Sequence, residues 1–440
     1  MCGYYKILGY FELFYKTAGQ CDIDQRGVFQ YGLPYLRSLL YTKINVRGLI
    51  LLTNRIPKAE YESRWKRAQA SAKANGVEAL VVWGKGGGTV DTANDLIYLA
   101  NYCPVFPYIP DLPGSWAGLS HGAVIIPVKG EPILITETDA VRHDVVSVKD
   151  VRSANGFVPD KVAATLKEMG LSNSRVGLVA GPWLVASIYK RLLNCAKGVD
   201  FIELDYAIET LRTHKSSFEF ELLREAALVG NASMEAMMKS ASIPGTSEAD
   251  AVADAYSIAI RRGSAMIDAA CSSGRNAALY SDGMAPNWTT RPLEAGDIFH
   301  CDMYGAAVEG YCWDFSRTVV TGGKWTTGQN EAYDGAIAAI DAGVAACRPG
   351  ITAHALHEVV LAELQKREIY CGYPLHGHSY GIGWESPWLV PGNETLIEAG
   401  MAIAIECMAG RDDIGYVKFE HNVLVHVDRT ELISTCPARL

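Results

Sequence analysis

Residues 296–323, GDIFHCDMYGAAVEGYCWDFSRTVVTGG, set two carboxylates, Asp302 and Asp314, inside runs that otherwise prefer burial. Residues 301–304 read as the end of one strand and 313–320 as the start of the next. Gly305 and Gly310 punctuate the turn between them. A carboxylate in an apolar strand is costly to bury unless something neutralises it, and two on neighbouring strands repel each other. A shared cation removes both penalties; a pair of exposed hairpin aspartates is the alternative for this stretch taken alone. Three later positions repeat the pattern: His378 in LHGHSYGIGWESP, Glu406 closing the apolar run MAIAIE, and Glu420 in YVKFEHNVLVHV. Asp, Asp, His, Glu, Glu is a hard, oxygen-rich donor set with one imidazole. It suits two divalent ions such as Mn, Co, Fe or Zn, whose chemistry is to activate a water and polarise a carbonyl.

The order of these motifs resembles the creatinase/aminopeptidase P/methionine aminopeptidase ("pita-bread") metallohydrolases, peptidase family M24, which include prolidase and the Xaa-Pro dipeptidases. The resemblance lies in the GD-x4-D segment, the following G-Y-x-x-D-x-x-R-T, the GHSYGIG segment, the I-E strand end and the F-E-x-N-V-L-V strand. It extends to LRTHKSSFEFELLREA at 211–226, and runs from about Arg55 onward. It implies an α/β N-terminal domain plus an α+β pita-bread catalytic domain with a curved antiparallel sheet. It also implies the ligand roles: Asp302 on one ion, Asp314 and Glu420 bridging or chelating, His378 and Glu406 on the other ion, with Glu406 also moving the proton. The implied activity is hydrolysis of a C–N bond, with an Xaa-Pro-type amide as the default. Non-peptide C–N hydrolysis of the creatinase or ectoine-hydrolase kind, a sulfonium-propionate lyase and a non-catalytic binding module stay open. A homodimer is expected.

Three departures bear on the chemistry. The two aspartates stand twelve positions apart where the family usually has eleven, and one extra residue around 306–309 absorbs this if neither ligand is to move. Ser281 stands where family peptidases carry a histidine after an S-G-x-N segment. Trp384 stands where another histidine precedes E-x-P. Neither replacement titrates near neutral pH. His376, two residues before His378, is a candidate to supply the missing imidazole and so joins Glu406 and His378 as a catalytic group. His421 is expected to point away from the ligands by strand alternation. Tyr304, Tyr311, Trp384 and Trp388 are candidates for an apolar substrate pocket. Arg317 is expected to have a structural role.

The elements that must position these groups follow from periodicity. Residues 1–54 match nothing and receive no function. An α/β domain is read over 55–205, with a helix over 59–75 closed by Gly76, strands at 77–83, 123–127, 132–136 and 175–179, and a helix over 160–169. Within it, 101–120 is a long loop dense in proline and aromatics, a candidate lid. The catalytic domain is read over 206–440. Its helices are placed at 217–240, 246–263, 329–347 and 353–367, and its strands at 298–303, 314–320, 402–406 and 417–427.

Composition excludes other classes. A net charge of −9 argues against a nucleic-acid partner. No apolar run approaches the ~18–20 residues that span a membrane. Eleven scattered cysteines without a C-x-x-C pair fit reduced thiols in a cytoplasmic enzyme. The expected partner is a small molecule or short peptide.

Overall fold

The computed structural model describes residues 56–104, 106, 118–179, 183–281 and 286–440. The unassigned stretch 1–54 and most of the candidate lid lie outside the described residues.

The first half builds one mixed sheet. Helix α1 (Lys58–Ala74) ends at Gly76, whose positive φ of 65° lets the chain reverse into β1 (Ala79–Lys85). Next come α2 (Asn94–Ala100), β2 (His121–Pro127), β3 (Ile133–Thr136), β4 (Asp150–Ser153), α3 (Val158–Glu168), β5 (Arg175–Val179), α4 (Ala186–Cys195) and β6 (Asp200–Glu203). Their order in the sheet is β4-β3-β2-β1-β5-β6. β1, β2 and β3 pair antiparallel; β1–β5, β5–β6 and β3–β4 are parallel. Strand β1 (ALVVWGK) is buried on both faces, as a central strand beneath helices must be.

After the short α5 (Glu209–Thr213), the second half opens with α6 (Ser217–Ala241). Ser216 caps it: its hydroxyl accepts from the Glu219 amide, and the Glu219 carboxylate accepts in return from the Ser216 amide. Helix α7 (Glu248–Arg261) starts on the same device, built from Ser247 and Asp250. Strands β7 (Ala265–Ser273), β8 (Ile298–Val308) and β9 (Tyr311–Val320) form a three-stranded antiparallel sheet. Helices α8 (Thr327–Ala346) and α9 (Ala353–Lys366) precede β10 (Gly377–Gly381), β11 (Gly383–Trp388), β12 (Ala402–Arg411), β13 (Gly415–Val425) and β14 (Thr430–Leu432). These five strands make an antiparallel sheet of order β11-β10-β12-β13-β14.

Strand alternation gives each sheet an apolar outer face and a polar inner one. Ile403, Ile405, Cys407, Val417 and Phe419 pack under α8 and α9 with Tyr333, Ala336, Ile340 and Val360. Met303, Trp313 and Phe315 pack with Leu223, Ala226 and Met234 of α6. Each such large side chain contributes about 1.5–3 kcal/mol on burial. The two sheets meet where β9 runs beside β13, and side chains rather than a ladder join them. Asn422 accepts from the Asp314 amide (3.1 Å) and donates to the Asp314 carbonyl. The Thr318 hydroxyl accepts from the Lys418 amide (2.9 Å) and donates to the Lys418 carbonyl (2.7 Å). The Arg317 guanidinium donates to the Glu420 carbonyl (2.7 Å). The two inner faces thereby become one continuous surface.

Ile50–Leu440 is one compact unit, and buried ion pairs hold its two halves together. Arg212 donates to Asp95 (2.8 Å) and Glu385 (2.6 Å), and Lys215 reaches the second Glu385 oxygen. Arg64 of α1 pairs with Glu219 (3.6 Å), and both also bind the Tyr311 hydroxyl. Tyr311 is therefore a strut between the halves rather than a wall of a substrate pocket.

Candidate metal centre

The β8–β9 register opposes Asp302 to Ser316 and Tyr304 to Asp314, so the two aspartates are diagonal neighbours on one face. The extra residue between them is taken up by a bulge between Ala306 and Val308, beyond both ligands. On the other sheet Glu406 lies directly opposite Glu420, and His378 opposite Ala404, all on the inner face. Gly377 permits the close approach of β10 to β12. Its φ is 136°, and a Cβ there would lie 2.0 Å from the Ala404 carbonyl oxygen. The seam between β9 and β13 then sets the two pairs of carboxylates against each other.

All five groups are buried. Oxygens of Asp302, Glu406 and Glu420 lie within 4.8 Å of one another. His378 Nε2 stands 3.5 Å from Asp314 Oδ2, while its Nδ1 faces the Ser379 carbonyl at 3.0 Å. A carbonyl only accepts, so Nδ1 carries the proton and Nε2 presents its lone pair to the site. Asp302 Oδ1 and both Glu420 oxygens are buried without any hydrogen-bond partner. Burial, then the nearby Asp302 and Glu406 carboxylates, pushes the Asp314 carboxyl well above its ordinary range. Burial followed by Asp302, Asp314 and Glu406 does the same to Glu420. Crowded carboxylates whose ionisation burial and their neighbours oppose, with oxygens left unpaired, are the donor set a divalent cation satisfies.

Several groups here escaped the sequence reading. Lys418, fully buried, sets its Nζ 2.7 Å from Asp302 Oδ2 and 2.5 Å from Glu406 Oε2. Burial opposes the charge on Lys418, but these carboxylates outweigh it and hold its pKa well above the usual value. Burial likewise opposes ionisation of Asp302, and Lys418 reverses the balance and lowers its pKa. The Tyr280 hydroxyl donates to Asp302 Oδ2 (2.8 Å) and the Tyr373 hydroxyl to Glu406 Oε2 (3.2 Å). Lys418 had a readable signal: it breaks the apolar alternation of YVKFEHN two places before Glu420, on the same face. Tyr373 had none.

The structure places the remaining candidates as follows. His376, expected as a spare imidazole, turns away: its ring stacks on His357 of α9 (centroids 4.4 Å, 24°) and neither nitrogen has a hydrogen-bond partner. The strand begins only at Gly377, so the two-residue alternation that would put His376 beside His378 does not apply. His421 bonds Ser434 (2.8 Å) on the far side of β13. Arg317 braces main-chain carbonyls of Ser316, Glu420 and Cys436. Trp384 donates its indole N–H to Asp314 Oδ2 (2.9 Å) and packs on His378 and Trp388. Asp91, from the first half, accepts from the Trp384 amide (2.7 Å) and the Tyr304 hydroxyl (3.0 Å).

Comparison with known proteins agrees with this geometry. Residues 221–426 match metallopeptidase family M24. An uncharacterised peptidase of Bacillus subtilis is 25% identical over 332 residues, 73% of this chain and 91% of its own. A Xaa-Pro dipeptidase of Pyrococcus furiosus is 28% identical over 231 residues, 51% of this chain and 64% of its own. Among solved structures, a Xaa-Pro dipeptidase from Bacillus anthracis superposes with a TM-score of 0.70 at 23% identity, covering 86% of this chain and all of that one. The fold is thus the pita-bread fold with an N-terminal domain. The chain carries an M24 peptidase domain and is a metal-dependent hydrolase of that class. No described helix is long and apolar enough to cross a membrane.

Proposed function

We propose that this hydrolase cleaves the C–N bond of a short Xaa-Pro-type peptide, using two divalent ions held by Asp302, Asp314, His378, Glu406 and Glu420. The observation that carries the reading is the convergence of these five side chains from two sheets, with three buried carboxylate oxygens left unpartnered. When bound, such ions lower the pKa of a water and polarise the scissile carbonyl. The protein's own groups then have distinct tasks. His378 offers Nε2 as a ligand while Ser379 fixes its tautomer. Trp384 holds Asp314 in place. Glu406 keeps Oε2 on Lys418 and Tyr373, so Oε1 is the atom that takes the proton from water and passes it to the leaving nitrogen. Manganese is the first metal to try, and a cytoplasmic homodimer is the form in which to expect the enzyme.

A non-peptide C–N substrate of the creatinase kind is the second reading, and Trp384 is the reason to keep it. An indole donates one hydrogen bond and cannot exchange a proton. It orients Asp314 and walls the site but does not replace an imidazole.

A substrate panel on manganese- or cobalt-loaded protein separates the two: Xaa-Pro dipeptides, longer Xaa-Pro peptides, creatine, ectoine and a sulfonium propionate. Turnover of Xaa-Pro dipeptides, increased by Ser281→His with Trp384→His, supports the first reading. Absence of peptide turnover, with metal bound and creatine or ectoine consumed, overturns it in favour of the second. Asp314→Ala and Glu420→Ala are expected to remove most metal and all activity; full activity without metal refutes both readings.

A further inference from the structure

We propose that Asp91, from the first half of the chain, is a positioning residue for the metal centre: it holds Trp384 and Tyr304, the two groups that flank Asp314, and through the Trp384 indole it aims the Asp314 carboxylate. This rests on the reading that Asp314 is a metal ligand. It goes beyond that reading by making a side chain from outside the catalytic half part of the site.

Asn422 fixes where the Asp314 main chain lies, but not which way its carboxylate turns. The terminal torsion of an aspartate is broad, so the plane of the carboxylate is set by what it bonds. Here the indole of Trp384 lies 2.9 Å from Oδ2, the same oxygen that His378 Nε2 approaches at 3.5 Å. Trp384 is itself 45% exposed and follows the turn Gly381-Ile382-Gly383, whose two glycines give it no stiffness of its own. Its direction has to be held from elsewhere. Asp91, in a single tight turn over Val90–Ala93, accepts from the Trp384 amide at 2.7 Å with one oxygen and from the Tyr304 hydroxyl at 3.0 Å with the other. Tyr304 stands directly opposite Asp314 in the β8–β9 register, and its ring meets that of Trp384 edge-on at 5.6 Å. Gly383 is what admits the Asp91 carboxylate: its φ is 86°, and a Cβ there would overlap Asp91 Oδ1.

Asp95, four residues on, is the contrasting case of a purely structural brace. It pairs with Arg212, which also donates to the Ile382 carbonyl (3.1 Å) and so holds the tip of the same turn. Asp91 pairs with no Lys or Arg among the described residues and commits both oxygens to the two groups beside a metal ligand. What it supplies is direction for the indole rather than a tether for the turn.

The test is metal binding to the full-length chain stripped with chelator, with Mn(II) affinity taken from calorimetric titration and Co(II) coordination from visible absorption. Asp91→Ala is expected to weaken Mn(II) binding about tenfold, the low end of the loss when a ligand's supporting partner is removed. Its cobalt spectrum is expected to change while the urea midpoint of the metal-free protein moves little. Asp91→Asn keeps an acceptor for the Trp384 amide and a hydrogen-bonding group for the Tyr304 hydroxyl, and is expected to bind metal as wild type does. Trp384→Phe is expected to lose as much affinity as Asp91→Ala, and the double variant no more than either, because both act through one indole. Asp91→Ser, too short to span both donors, serves where the alanine variant does not fold. Wild-type affinity and cobalt spectrum in Asp91→Ala overturn the proposal. So do losses that add in the double variant, or an Asp91→Asn as weak as alanine. Each of these leaves the metal-dependent reading standing; no stoichiometric metal in wild type overturns both.

Discussion

Asn422→Ala is the sharpest test of how the two sheets become one surface. Asn422 is fully buried and exchanges two hydrogen bonds with the backbone of Asp314, accepting at 3.1 Å from its amide and donating to its carbonyl. Neither backbone group has a strand partner on that side, because β9 is the edge of its sheet there. Truncation leaves a donor and an acceptor unpaired in the interior, at about 1–3 kcal/mol each. Partial access of water lowers the sum, so about 2–5 kcal/mol of destabilisation is expected. Asn422 also fixes the ligand-bearing residue, so Mn(II) affinity is expected to fall about 10–100-fold, the usual loss when a ligand's supporting partner is removed. Asn422→Asp sharpens the test: it still accepts from the amide, cannot donate to the carbonyl, and adds a charge to a carboxylate-rich cage. It should be at least as damaging as alanine in metal-free protein. Urea unfolding followed by tryptophan fluorescence gives the first quantity and calorimetric titration the second. Asn422→Ala with stability within about 0.5 kcal/mol of wild type and unchanged metal affinity refutes the seam as the element that spaces the cage.

Two further outcomes concern other parts of the molecule. Arg212→Met leaves Asp95 without its cation in the interior and Glu385 with Lys215 alone; a loss of about 3–5 kcal/mol is expected, measured by the same unfolding assay. Burial holds His300 and His376 down to about 4; burial followed by Arg317 holds His421 to about 3. The unfolded chain protonates these rings near 6.5, so their contribution is fully present above that pH and is lost as pH falls from 6.5 toward 4, by about 1.4 kcal/mol per ring per unit. Raised Asp314 and Glu420 work in the opposite direction in metal-free protein. The readout is therefore the stability of wild type minus that of His421→Asn, which should fall, shifting in the variant's favour, by about that amount per unit below pH 6; a difference independent of pH contradicts the assignment.

The C-terminal half was the more legible part of the sequence because its periodicities and its chemistry agree. Asp302, Asp314, Glu406 and Glu420 were visible as carboxylates in runs that otherwise prefer burial, and the structure brings all four together with His378. Capped helices were legible for the same local reason: Ser216 and Glu219 satisfy each other within four residues. Long-range side-chain contacts were not. Nothing in HNVLV says that Asn422 reaches across to Asp314, and nothing near Tyr373 says that it faces Glu406. His376 was offered only for its nearness in sequence to His378, and the stack with His357 of α9 that takes its ring is a long-range contact that spacing does not show. Strands β10 (GHSYG) and β11 (GWESPW) are short, lack β-branched residues and are interrupted by Gly and Pro, so propensity alone does not mark them.

The seam between the sheets also sets a timetable for biosynthesis. Asp302 and Glu420 are 118 positions apart, and both sit on strands that face each other only once β13 has docked beside β9. At about 5–20 residues per second, a ribosome needs roughly 6–24 s to travel from one codon to the other. Throughout that interval the β8–β9 hairpin can exist with its two aspartates but without their opposing glutamates. A nascent chain therefore has no complete cage to offer a metal, and loading belongs to the period after translation of β13.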